Sequence, residues 1–514
     1  METQPLWTGL ELSTLWGVSC DRALQCTGIS LDSRSLATGD LFFALQGGDP
    51  RFHGASSQGL DGQRFAAHAL DQGAAAVVVR QSLGAGAREI VVPDPFEALW
   101  TLAREARKRC PGPVFALTGS SGKTTAKALL TAALQAHYGA GAVHATEGNL
   151  NNHLGVPLSL ARLPQGTAAA VFELGMNHPG EIAPLSQLVQ PTVALVLNIL
   201  PVHLEGLGSL AAIAEEKLSI AAGLGPEGVL VCPKDRAPGH SRVVTFEDHR
   251  GQGTAAAFYR DKRGVLQGQG AGLDLKPLGA EHRQRSATAV LACLQAAGLP
   301  LATAVPAMAA VAAPKGRGSR DEVGGCVIID ESYNANPESV GLALRDLEAA
   351  PGTGPKLALL ADMLELGDDG PAYHLALEEA LAGLQGVFLI GPLMKPLAER
   401  LGPRCQGWWP STESLDLTPI LDALSPGAQL LVKGSNRFFW QARTVDRLRD
   451  AVARRDAERT PRLGGSGRPR QERQHADARH ARRPVEQARP RRHRRRVDAV
   501  VGHLPLTERK RAPK

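Results

Sequence analysis

Thr118-Gly-Ser-Ser-Gly-Lys-Thr-Thr125 decides how the chain around it is read. It follows a short apolar run, 114–118, and leads into helical spacing over 125–137. Strand, Gly/Ser turn and helix together make a phosphate cradle. Backbone N–H groups at the helix start point at the anion, and Gly119 and Gly122 let the backbone come close. Lys123 has the reach for β- and γ-phosphates, and the Thr124 hydroxyl can ligate Mg²⁺. The spacing is GxxGKT, because Leu117 stands where the common loop has its first Gly. The bland alternative is a chance Gly/Ser turn before a helix, and the strand–loop–helix context argues against it. The loop therefore reads as an ATP site made of Thr118, Gly119, Ser120, Ser121, Gly122, Lys123, Thr124 and Thr125.

Working outward, 168–174 and 193–197 are further buried strands, alternating with helices. That alternation predicts βαβ units and a parallel sheet. A second set of strands falls at 327–330, 356–361, 386–390 and 429–433, with helices at 338–349 and 373–383. It reads as a dinucleotide-fold-like sheet. The Gly-rich stretch 314–319 reads as the hinge between the two sets. Before the loop, strands at 40–45 and 74–79 and a helix at 65–70 make a smaller unit. A chain of 514 residues suits about three domains. The expected fold class is α/β in three domains: a small N-terminal α/β unit, a central parallel-sheet P-loop unit and a C-terminal dinucleotide-fold-like unit.

Three residues downstream of the loop stand out. Glu173 ends a strand, and a carboxylate at the C-terminal end of a strand in such a sheet points into the ligand crevice. It suits Mg²⁺, although alone it could be a solvated strand end. His203 follows the strand at 193–197, where a lone His is usually structural. Lys217 lies in a helical stretch, 211–222, where a lone Lys is usually a solvated face. The three gain weight only in combination with the loop.

Composition sets limits. From Asp456 to Lys514 there are 18 Lys and Arg against seven Asp and Glu, about +11, so the first 455 residues carry about −5. The globular part thus gives no charge-based case for nucleic acid. The tail is Arg/Pro/His-rich without periodicity and is expected to be disordered. Its functional reading is an arm for RNA or a membrane surface. Its bland reading, preferred here, is a solvated extension or out-of-frame sequence. The seven cysteines form no CxxC pair, which fits a reduced, cytoplasmic setting. No signal peptide and no membrane span are expected.

In this order, the TGSSGKT loop, Glu147-Gly-Asn-Leu-Asn-Asn-His-Leu-Gly-Val-Pro157, Glu173-Leu-Gly175, and His203 followed by Lys217 resemble the Mur ligase family. The match runs from about residue 30 to about 445. Leu31-Asp-Ser-Arg34, Gly39-Asp-Leu-Phe-Phe43, Asp61-Gly62 and Phe65 resemble the uridine-nucleotide domain of the third- and fourth-step ligases. Asp330-Glu-Ser-Tyr-Asn-Ala-Asn-Pro337 and Ala361-Asp-Met-Leu-Glu-Leu-Gly367 with His374 resemble signatures of the fourth-step branch. No DNPR-like motif of the third step is present.

The resemblance implies the activity: ATP-dependent ligation of D-alanyl-D-alanine to UDP-N-acetylmuramoyl-tripeptide through an acyl phosphate, giving a peptidoglycan precursor. It implies ATP and Mg²⁺ as cofactors, the two substrates as partners, and a monomer. It assigns residues 1–110 to the UDP-substrate, 111–314 to ATP and 315–455 to a C-terminal ligand-binding domain, leaving 456–514 as the tail. It implies that Thr124 and Glu173 hold one Mg²⁺, and that His203 and a carbamylated Lys217 hold a second. Asn334 and Asn336 match positions near adenine and ribose. Arg317 matches an arginine that approaches the phosphates, Ser33 and Arg34 match uridine-nucleotide contacts, and Asn151 and Asn152 match a segment lining the cleft.

Three departures stand against the pattern. The HNxxNA-like helix start reads His282-Arg-Gln-Arg-Ser-Ala287, with Arg283 and Ser286 at the Asn positions. The KGSR-like segment reads Lys433-Gly-Ser-Asn-Arg437, and Gln441 replaces a Glu. The alternatives are a third-step ligase adding a diamino acid and a non-catalytic nucleotide-binding regulator of the same fold.

Overall fold

Five consecutive buried residues, Val114–Thr118, form a strand inside the largest sheet. A strand apolar on both faces must be covered on both. Phe115 and Leu117 pack with Leu129, Leu130 and Leu134 of the helix Lys123–Tyr138. Val114 and Ala116 share the opposite layer with Leu99, Leu102 and Ala103 of the helix Pro95–Arg107, which Asp94 caps by accepting from the Phe96 N–H at 2.9 Å. The computed structural model describes residues 4–46, 61–237, 242–247, 257–269 and 272–459.

Val114–Thr118 pairs in parallel with Ala169–Glu173 on one side and Val193–Val196 on the other. The chain first goes out to the edge strand Val143–Ala145, returns to Ala169–Glu173, then crosses to Val193–Val196. The order reverses beside the loop, and ligand crevices form at such points. Among the described residues this sheet has nine strands. It is parallel through Val229–Pro233, Val243–Glu247 and Phe258–Arg260, and then adds Val265–Gly268 and Leu273–Asp274 antiparallel. This antiparallel margin has strands too short for a hydrophobic period to register in the sequence.

The N-terminal unit carries four parallel strands among the described residues, in the order Gly28–Ser30, Asp40–Phe43, Ala76–Val79 and Glu89–Val91. The C-terminal unit carries six: Ser319–Val323, Cys326–Glu331, Gln429–Lys433, Lys356–Ala361, Gly386–Ile390 and Cys405–Trp409. Only its first pair is antiparallel. Two expected helices are shorter than their periodicity suggests. The first is Leu210–Leu218, continued by a 3₁₀ turn Ser219–Gly223. There the Ser219 hydroxyl donates to the Glu216 carbonyl at 2.6 Å and competes with the helical ladder. The second is Gly370–Leu375, continued by Ala376–Leu381 as 3₁₀. The last helix, Thr444–Arg459, runs past Asp456, where the tail was expected to begin, because Val445, Leu448 and Val452 are buried against the C-terminal sheet. The rest of the tail lies outside the described residues.

The three units are joined in two different ways. One apolar cluster runs from Trp7, Ile29 and Leu41 through Phe96 to Ala170, Phe172 and Leu230, so the N-terminal and central units share a core. The Trp7 indole N–H donates to the Ala161 carbonyl at 2.8 Å, Arg109 donates to the Leu163 carbonyl at 3.1 Å, and Arg162 donates to the Ile29 carbonyl at 2.9 Å. The apolar clusters of the C-terminal unit contain no residue before Val323. Polar contacts dock it instead. Asp346 accepts from the Glu281 N–H at 3.2 Å and pairs with His282 at 3.1 Å, while Glu338 pairs with Arg285 at 3.3 Å.

Trp7→Ala is expected to cost about 3–5 kcal/mol. Because the core is shared, amides of Val114–Thr118 should lose hydrogen-exchange protection along with those of the N-terminal sheet. Loss confined to residues before 92 would show the two units to be energetically separate.

Candidate functional site

The loop leaves the end of Val114–Thr118 and turns into its helix at Gly122, whose φ of 77° a side chain would resist. Gly119 is needed for a different reason: a Cβ there would sit 2.8 Å from Leu197 Cβ on the neighbouring strand end. Asn198 holds the loop open. Its Oδ1 accepts from the Ser121 N–H at 2.9 Å and its amide donates to the Ser121 carbonyl at 3.2 Å, while Ser120 N–H donates to the Asn198 carbonyl at 3.2 Å. Among the described residues no side chain caps the start of the helix. The ammonium of Lys123 donates to the Gly119 carbonyl at 2.7 Å. The Thr118 hydroxyl is buried without a hydrogen-bond partner among the described residues, and Thr125 is buried in the first helical turn.

Glu173 faces this loop from the adjacent strand end and is 1% exposed. It accepts from Thr124 Oγ1 at 3.1 Å and Asn151 Nδ2 at 2.8 Å, and pairs with Lys127 Nζ at 3.2 Å. Burial pushes its pKa up, but Lys127, Lys123 and Arg317 outweigh it, and the carboxyl is held below its ordinary value. Lys127 also donates to the Gly148 carbonyl at 2.6 Å. Asn152 does not touch Glu173 in this way. Its Oδ1 accepts from the Leu154 and Gly155 N–H groups and starts the helix Gly155–Ala161.

Lys217 is 2% exposed. Burial pushes its pKa well below the ordinary lysine value, and nearby Lys123 adds to the effect, against a smaller opposing pull from Glu216. Arg317, across the hinge, lies 3.9 Å above the Tyr333 ring and adds its field to those of Lys123 and Glu173. His203 Nδ1 contacts Glu365 Oε2 of the C-terminal unit at 2.5 Å.

The remaining sequence-predicted residues are dispersed. Asn336 caps the helix Pro337–Ala349, accepting from the Ser339 N–H at 2.8 Å. Asn334 offers its carbonyl to Lys433, which is buried against Glu331 at 2.9 Å. Ser33 and Arg34 belong to the N-terminal unit, where Arg34 pairs with Asp32 at 2.9 Å. Of the departures, Arg283 turns to the end of the helix Ala304–Ala309 and donates to the Val311 carbonyl at 2.8 Å, while Ser286 Oγ approaches Gly122.

Sequence reasoning passed over Lys127, Asn198 and Asp346, and quoted Glu365 only within the 361–367 signature, without a role. Lys127 had a signal: it lies four residues after Lys123, on the same helix face. Asn198 and Asp346 had none, because their partners are remote in the chain.

Residues 117–263 match the family model of the Mur ligase middle domain. A UDP-N-acetylmuramoyl-tripeptide–D-alanyl-D-alanine ligase of Synechocystis sp. is 33% identical over 448 residues, covering 84% of this chain and 93% of that one. The chain belongs to the MurF branch of the Mur ligase family. The enzyme of the same name from Escherichia coli is 32% identical, covering 79% of this chain and 90% of that one. The solved structure of MurF from Acinetobacter baumannii superposes with a TM-score of 0.72 at 28% identity, covering 86% of this chain and 99% of that one. The MurF fold thus extends over all three units.

The folded state disfavours the Lys217 ammonium, because burial lowers its pKa well below the ordinary lysine value. The resulting penalty is full below the folded pKa and vanishes above the ordinary lysine value. Lys217→Met should therefore raise the melting temperature at pH 7, by about 2 °C or more. A lower melting temperature would mean that attractive partners of the ammonium outweigh its burial.

Proposed function

We infer that this MurF-branch chain ligates D-alanyl-D-alanine to UDP-N-acetylmuramoyl-tripeptide using ATP. The observation that carries this reading is the buried Glu173, kept charged beside the Thr124 hydroxyl and ringed by Lys123, Lys127 and Arg317. Such a site suits phosphoryl transfer, where catalysis is positioning and charge stabilisation.

An oxygen of the tripeptide's terminal carboxylate attacks the γ-phosphorus, and the bond to ADP breaks. The amine of D-alanyl-D-alanine attacks the resulting acyl phosphate, loses a proton, and phosphate leaves. Lys123 exchanges its bond with the Gly119 carbonyl for the β/γ-phosphates, joined by the N–H groups of the loop. Arg317 faces the transferring group from the C-terminal unit. The oxygen donors Thr124 and Glu173 fit Mg²⁺, a hard cation that takes one or two carboxylates plus substrate phosphates. Mg²⁺ held there would supply neutralisation of phosphate charge.

Lys217 fits a cation only after modification. Its depressed pKa leaves the amine able to add to CO₂: the Nζ–C bond forms, a proton leaves, and the carbamate offers oxygen donors. His203 would share that second cation. We assign residues 1–110 to the uridine nucleotide, with Ser33 and Arg34, 111–314 to ATP, and 315–455 to the C-terminal contacts with Asn334 and Asn336. The working unit is a monomer, since one chain supplies Lys123, Glu173, His203, Lys217 and Arg317. The setting is cytoplasmic. All seven cysteines are free thiols, and among the described residues no helix is long and apolar enough to cross a membrane.

Phosphate release with ATP, Mg²⁺, UDP-N-acetylmuramoyl-tripeptide and D-alanyl-D-alanine should require every component, and Lys123→Ala and Lys217→Ala should each abolish it. Release that persists without the dipeptide would refute ligation. Full turnover by Lys217→Ala would refute the carbamate.

A further inference from the structure

Among the described residues only Gln190, His203, Glu365 and Arg443 are non-glycine residues with positive φ. Two of these four meet each other across the boundary between units. His203 has φ 56° and Glu365 φ 64°. Their side chains are 2.5 Å apart through Nδ1 and Oε2, and the Leu204 N–H donates to the Glu365 carbonyl at 3.0 Å. Strained residues persist only where their surroundings hold them, and such sites gather around function. Stability does not explain the pair: the Glu365 side chain is 54% exposed, and exposed ion pairs contribute little.

The loop that carries Glu365 is held from beneath. Met363 and Leu366 are buried. The Met363 N–H donates to Nε2 of the fully buried His374 at 2.9 Å, and His374 Nδ1 donates to the Gly370 carbonyl at 2.7 Å. Asp362 accepts from the Leu393 and Met394 N–H groups at 3.2 and 3.0 Å. Glu365 therefore projects from a fixed base onto a histidine of another unit.

We propose that Glu365 is a positioning residue: it accepts the Nδ1 proton of His203, fixes the ring and its tautomer, and so leaves Nε2 as the electron-pair donor toward a divalent cation at the active site. This rests on the reading of His203 as a cation ligand. A histidine that binds metal commonly gives its other N–H to a carboxylate, which orients the ring and raises its basicity. Here the carboxylate comes from the C-terminal unit. Docking of that unit and cation binding at His203 consequently favour one another, because each needs the same ring orientation. The Glu365–Leu204 backbone bond sets the distance at which this happens.

The test is Mn²⁺ binding by the full chain with a non-hydrolysable ATP analogue, followed by loss of the free-ion electron paramagnetic resonance signal. Glu365→Ala should weaken the Mn²⁺ site that His203→Ala also weakens, by about tenfold. Glu365→Gln should recover most of the loss, since its amide oxygen still accepts. The double variant should bind no more weakly than His203→Ala. Wild-type Mn²⁺ affinity in Glu365→Ala, with His203→Ala weakened, would overturn the positioning role and leave the cation reading standing. So would additive losses in the double variant. Unchanged affinity in His203→Ala would overturn the cation reading and this inference with it.

Discussion

A carboxylate sealed from water keeps its charge only if cations are held against it, and the active site is built around that constraint at Glu173. Desolvation alone would raise its pKa, and a protonated acid would attract a divalent cation far less. Lys127 prevents this. It is itself 6% exposed and is placed by the helix that follows the phosphate loop, with its remaining bond to the Gly148 carbonyl. Removing one member of such a pair leaves a buried charge uncompensated, at about 3–5 kcal/mol. The loop, the helix and the strand end are thus tied by electrostatics as well as by the sheet.

The same burial acts in the opposite sense on Lys217. Glu173 has cations beside it, whereas Lys217 has Lys123 nearby and only a modest pull from Glu216. One pocket therefore keeps an acid ionised and drives a base towards neutrality. Both outcomes suit a triphosphate site. Lys127 and the guanidinium of Arg317 set positive charge beside Glu173 for the incoming anion, while burial lowers the pKa of both Lys123 and Lys217, the latter well below the ordinary lysine value. The cost is a buried lysine in a helix, which packing alone would have filled with Leu or Met.

Much of this was legible in the sequence, for physical reasons that also explain what was not. Strands such as Val114–Thr118, Lys356–Ala361 and Gln429–Lys433 are buried on both faces, and they show as uninterrupted apolar runs. The phosphate loop shows because its glycines answer to local backbone geometry. The antiparallel margin from Phe258 to Asp274 does not show, since strands of two to four residues carry no period. Asp346 looks like an ordinary surface acid until folding brings it against His282, and the 361–367 signature does not say that Glu365 meets His203. Arg283 reads in the sequence only as a departure at an Asn position, and it is directed at the carbonyls ending another helix.

The two kinds of junction then decide which part of the molecule can act as a clamp. Separating the N-terminal from the central unit would expose Trp7, Ile29 and Phe172 to water and strip Trp7 and Arg109 from the Ala161 and Leu163 carbonyls, so that boundary behaves as interior. Lifting the C-terminal unit breaks hydrogen bonds and ion pairs that water can replace: Asp346 with Glu281 and His282, Glu338 with Arg285, Glu365 with His203 and Leu204. At the hinge, Gly316 has φ 76° and leaves no room for a Cβ, which would lie 2.8 Å from the Trp440 ring. A polar, replaceable interface on a tightly packed pivot costs less to open than the apolar boundary. The field of Arg317 on Glu173 and the pairing of Glu365 with His203 both come from the C-terminal side, so both depend on the polar junction being made.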